Sequence, residues 1–73
     1  MEIADYTRVS RKNPMVVQGQ MDDGQEFVFS YSQGTATLTV GELTASCPLE
    51  VENEFVDEET FLATAESLIP ALA

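Results

Sequence analysis

The chain has 73 residues, of which thirteen are acidic and three basic, for a formal net charge of -10. A chain this short forms one domain around one core, here residues 1–73, and buries only about 60% of the surface it exposes when unfolded, which excludes a substrate-sized internal cavity. At 44% hydrophobic residues it lies outside the low-hydrophobicity, high-charge signature of disorder.

The first twelve residues carry Ile3, Tyr6 and Val9 at a spacing of three. That spacing predicts one or two turns of a short N-terminal helix, with strand as the alternative. From Met15 onward, alternation and turn chemistry agree. Met15, Val17, Gly19 and Met21 alternate with mostly polar positions, as do Phe27, Phe29 and Tyr31, with Asp22-Asp23-Gly24 between them. A three-residue loop ending in a left-handed glycine pairs Val17 with Phe29 and Met15 with Tyr31 on one face. A two-residue Asp23-Gly24 turn would pair Val17 with Ser30 and scramble the faces, because a one-residue slip inverts every side chain.

Gln33-Gly34 as a two-residue turn then pairs Tyr31 with Ala36, Phe29 with Leu38 and Phe27 with Val40. Gly41-Glu42, with glycine first as a type II′ turn prefers, pairs Val40 with Leu43, Leu38 with Ala45 and Ala36 with Cys47. Three successive turns keep one apolar face in register, and such agreement across levels outweighs any single turn signal. The expected fold is α+β, a four-stranded antiparallel β-meander with a C-terminal helix on one face. Pro14 and Pro48 fall on its two edge strands, where proline is tolerated. After Pro48 the alternation places Leu49, Val51 and Phe55 inward and Glu50, Glu52 and Glu54 outward.

Asp57 reads as a helix N-cap, followed by Glu58 and Glu59 in the first turn, where the helix dipole favours acids. Phe61, Ala65, Leu68, Ile69 and Leu72 follow the spacing of an amphipathic helix. Pro70 ends or distorts it near Leu68 or Ile69.

The chemistry left out is as informative as the fold. With no histidine in the chain, imidazole-activated nucleophiles and imidazole metal sites are excluded. Cys47 is the only cysteine, which removes an internal disulfide and a thiolate zinc site; its inward position makes it a small buried hydrophobe. Asp22, Asp23 and Glu26 lack the alternate-acid spacing of a calcium loop and fit turn chemistry instead. Glu58 and Glu59 would need a pocket that shifts their pKa values to act as acid and base. No glycine-rich phosphate loop is present. These absences predict a protein that is not an enzyme and takes no cofactor or metal. Arg8, Arg11 and Lys12 are followed by no apolar run and are too few to hold nucleic acid against the net field. No segment reaches the ~20 apolar residues of a membrane span, and a cytoplasmic protein is expected.

Two surfaces remain as candidates for partner binding. Glu50, Glu52, Glu54, Asp57, Glu58 and Glu59 supply six of the thirteen acids. On a strand, alternate carboxylates stand roughly 6.6 Å apart, a regular line of negative charge for a basic protein surface. Acids on an edge strand also deter aggregation. The second candidate is the outer sheet face, where Gln18, Val28, Thr39 and Thr44 share one row and Val16, Ser30, Thr37 and Ser46 the next. Nearly uncharged, it suits a homodimer or partner contact; solvated sheet is the competing reading, since threonine is a good strand former.

In composition the chain resembles the phage-encoded inhibitors of host defence nucleases, of the anti-CRISPR type, several of which act as nucleic-acid mimics. The meander and helix from about Met15 onward also resemble half of the acidic, dimeric chaperones that escort type III secretion effectors. The first resemblance implies an inhibitor or adaptor docking on a basic protein surface, the second a homodimeric chaperone or assembly subunit.

Overall fold

In the computed structural model, which describes residues 2–10, 15–51 and 56–72, the strands are β1 (Ile3–Ser10), β2 (Met15–Met21), β3 (Glu26–Ser32), β4 (Thr35–Val40) and β5 (Leu43–Pro48). They form one antiparallel sheet in the order β1-β2-β3-β4-β5. The helix α1 (Glu58–Leu68) follows, continued by a 3-10 turn at Ile69–Ala71. The fold is α+β, with five strands where four were expected.

The expected registers hold at all three hairpins. Val17 pairs with Phe29, Phe29 with Leu38, and Leu38 with Ala45. The first turn is closed by the Gly24 N–H donating to the Met21 carbonyl at 3.0 Å, with Gly24 at φ 89°. Gln33 and Gly34 both have positive φ, 50° and 79°, as a type I′ turn requires. The inner face buries Met15, Val17, Met21, Phe27, Phe29, Tyr31, Ala36, Leu38, Val40 and Ala45, while Cys47 packs half-buried against them.

The short N-terminal helix is not formed; those residues are β1, which covers β2 and takes over its place at the edge. The spacing of three arises from a register shift. Ile3 lies opposite Met21 and Tyr6 opposite Gly19, because the pairing slips between Ile3 and Asp5. An extra residue in one strand resets which side chains share a face, so Ile3 and Tyr6 both point inward despite their odd separation. A second shift between Arg8 and Ser10 leaves Val9 59% exposed. Pro14 lies outside the described residues, and β5 alone keeps the edge position expected for a proline-bearing strand.

Gly19 makes the first shift feasible. A Cβ on it would lie 2.0 Å from the Asp5 carbonyl oxygen and 2.7 Å from the Tyr6 Cα. Glycine inside a strand commonly marks such a close backbone approach.

The helix begins as expected, with the Asp57 carboxylate accepting from the Thr60 N–H at 2.8 Å. It buries Phe61, Thr64, Ala65 and Leu68, and Pro70 falls in the 3-10 turn. Val56 is fully buried. It precedes the N-cap, and Phe61 is the fourth helical residue, the two positions of a hydrophobic staple. The Phe61 ring stands 5.1 Å from Tyr6, 6.3 Å from Phe27 and 5.0 Å from Phe29, centroid to centroid. Such aromatic pairs add about 0.5–1.5 kcal/mol each beyond the area they bury.

Replacing Gly19 with alanine should lower stability by about 1–3 kcal/mol, the usual cost of overpacking. In thermal denaturation and hydrogen exchange, the loss should be accompanied by faster exchange across β1. An unchanged melting temperature would show that β1 does not cross Gly19 this closely.

Candidate acidic docking site

The six candidate acids do not share one strand. β5 ends at Pro48, opposite Thr35, and its last inter-strand bond runs from the Leu49 N–H to the Gly34 carbonyl at 2.8 Å. Beyond Leu49 the partner strand has already turned at Gln33-Gly34, so Glu50 has no residue of β4 to pair with. Glu50 is exposed just past this end, while Leu49 and Val51 are half-buried against the core. Glu52, Glu54 and the expected inward Phe55 lie outside the described residues. The expectation of a strand-borne row of carboxylates is therefore corrected for Glu50.

Asp57, Glu58 and Glu59 gather at the start of α1, all three exposed. Their position is set by two contacts with β1. The Tyr6 hydroxyl donates to the Glu58 carboxylate, and an Arg8 guanidinium nitrogen donates to the Val56 carbonyl at 3.0 Å. Arg8 lies on the inner face opposite Val17 and is half-buried. Arg11 and Lys12 lie outside the described residues.

Electrostatics follow from these contacts. The hydrogen bond to Glu58 raises the Tyr6 pKa, with desolvation and the Glu58 charge acting in the same direction. Hydrogen bonds from Thr60 hold the Asp57 carboxyl below its ordinary value, with a smaller contribution from the Arg8 charge. Asp57 and Glu58 are thus engaged in holding the helix start, whereas Glu50 and Glu59 are exposed without a hydrogen bond among those described.

The Asp22-Asp23-Gly24 loop behaves as turn chemistry. Asp23 accepts from the Gln25 N–H at 3.0 Å and from Gln25 Nε2 at 2.8 Å, and these bonds lower its pKa. Asp22 accepts from the Glu2 N–H at 3.2 Å, tying the start of β1 to the loop. Among the described residues no three acids or cysteines converge to hold a metal ion, and no helix is long and apolar enough to cross a membrane.

The outer face has the expected rows, each widened by β1. Thr7, Gln18, Val28, Thr39 and Thr44 align in one, and Ser10, Val16, Ser30, Thr37 and Ser46 in the next. The Thr39 and Thr44 hydroxyls are 3.4 Å apart. Both rows are uncharged. Asp5 and Glu26 bound them at the Met21 end, where with Thr7, Val9 and Val28 they line an open groove.

Comparison with known proteins finds no matching family model, no matching curated protein and no matching solved structure.

Tyr6 titration should be visible in the stability profile. A folded pKa above the unfolded one means that the contribution is complete below the ordinary tyrosine value of about 10 and is lost as pH rises through the raised value. Wild type should therefore lose thermal stability in that alkaline range more steeply than Tyr6→Phe. Identical alkaline profiles for the two would contradict the Tyr6–Glu58 bond.

Proposed function

We propose that this protein is a non-enzymatic inhibitor or adaptor that docks its acidic segment, Glu50 to Glu59, on the basic surface of a protein partner. A nucleic-acid mimic of the phage anti-defence type is the sharpest form of this reading. The observation that carries it is the concentration of charge: six of thirteen acids fall within ten consecutive positions. Glu50, Asp57, Glu58 and Glu59 are exposed, and Asp57 and Glu58 are fixed by hydrogen bonds to structured backbone and to β1. Carboxylates already held in place lose less conformational freedom on binding. The net field speeds encounter with a basic surface and makes it sensitive to salt.

Capture of the partner from a lysate of the source cells, at low and high salt, tests this reading. Binding should weaken steeply with salt and fall at least about tenfold when Glu50, Glu52 and Glu54 all become glutamine. Salt-insensitive binding, or wild-type affinity in the triple variant, would rule it out.

The two uncharged rows of the outer face favour a second reading, a homodimeric chaperone or assembly subunit that pairs through Val16, Val28, Thr37, Thr39 and Thr44. It predicts a dimer by light scattering that Thr37→Lys or Thr39→Lys dissociates. A monomer at high concentration would exclude it.

A further inference from the structure

The two edges of the sheet differ in how they meet a potential extra strand. β1 carries two register shifts, Asp5 and Arg8, all of which blunt an edge against pairing. β5 carries neither, and its one blunting feature is Pro48 at its last position. Its register with β4 is unbroken over all six residues, and Leu43-Thr44-Ala45-Ser46-Cys47-Pro48 carries no charge.

The outward-facing groups of β5 follow from its turn. A two-residue hairpin makes its closing pair, Val40 and Leu43, a hydrogen-bonded one, and bonded pairs then recur at Leu38–Ala45 and Ala36–Cys47. The N–H and carbonyl groups of Thr44 and Ser46 point the other way, off the sheet. Both residues are exposed, and neither makes a further backbone bond among the described residues. Pro48 occupies the next outward position, where its missing N–H costs the β4 ladder nothing but leaves only its carbonyl for an added strand, so the outward donors are those of Thr44 and Ser46. On either side of residues 52–55 the chain is held away from this edge: Leu49 is bonded to Gly34, and Val56 to Arg8 of β1.

We propose that β5 receives an extended segment of the partner, flanked by lysine or arginine, which adds to the sheet as a sixth strand. The inference rests on the reading of the protein as a binder of basic partners and specifies the mode of contact. Strand addition draws affinity from main-chain bonds, with side chains giving specificity. Charge complementarity selects the occupant. Glu42 before β5 and Glu50 after it are both exposed at the two ends of the uncharged ladder, and a basic residue at each end of the added strand meets them. A second copy of this chain would instead bring Glu42 and Glu50 of one edge towards those of the other, at a net charge of -10 per chain.

The test uses a peptide of about nine residues, lysine at each end and threonine alternating with valine between, a length that spans Glu42 to Glu50 in extended form. Titrated into isotope-labelled protein, it should bind saturably and slow hydrogen exchange at the Thr44 and Ser46 amides. Ser46→Pro removes one outward donor and no bond to β4, and should weaken binding at least about tenfold, a shift consistent with losing one or two hydrogen bonds. A glutamate-ended peptide should bind at least as poorly. Should Ser46→Pro fail to fold, N-methylating alternate peptide amides removes the same bonds with the protein unchanged.

Absence of binding overturns the proposal, as does indifference to both changes or a response centred on Thr37 and Thr39. Protection of Thr44 and Ser46 that appears with protein concentration and no peptide would assign the edge to a second copy instead. If partner capture survives Ser46→Pro but is lost on replacing Glu50, Glu52 and Glu54, docking through the acids stands and strand addition falls.

Discussion

Phe61 sits one turn into α1 with its ring against Tyr6 of β1 and against Phe27 and Phe29 of β3, so one side chain joins the helix to both the edge and the centre of the sheet. Its backbone N–H also makes the first helical bond, to the carbonyl of the capping Asp57. Packing of the ring therefore fixes where the helix starts. The cap, the Tyr6–Glu58 bond and the Arg8–Val56 bond then hold the acids Asp57 to Glu59 beside β1. A Phe61 truncation in a core this small would cost about 3–5 kcal/mol, a large share of a marginal total. Core packing and the display of negative charge are thereby coupled: the same residue that closes the core sets the position of the helical acids.

The meander was legible because each turn had a distinct chemical signature and each register put the same residues inward. Asp22-Asp23-Gly24, Gln33-Gly34 and Gly41-Glu42 all turned where the apolar alternation required. The helix was legible for similar reasons, from Asp57 as cap to Pro70 as stop. β1 was ambiguous between helix and strand because period-three spacing is shared by a helical turn and by a strand with a bulge. Gly19 carried the missing signal, since an isolated glycine inside a strand often marks a close backbone approach.

The acidic segment was only partly legible. Its exposure at Glu50 and at the helix start followed from pattern and capping. For Glu50, the assignment to a strand continued an alternation past the end of the partner. The register itself held the correction, since Thr35 opposite Pro48 puts Glu50 against the Gln33-Gly34 turn. Val56 was missed for the same reason. Strand alternation through Phe55 points it outward, whereas its place before the N-cap, five residues ahead of Phe61, is that of a staple residue.

The proposed docking brings the acids from Glu50 to Glu59 into contact with a basic partner. Zero-length carbodiimide coupling of the captured complex joins carboxylates to lysines already in contact, and peptide mapping then identifies the acids used. Under the proposed docking, cross-links should concentrate among Glu50, Glu52, Glu54, Glu58 and Glu59. Cross-links confined to Asp5, Asp22, Glu26 or Glu66, with none in the acidic segment, would contradict it.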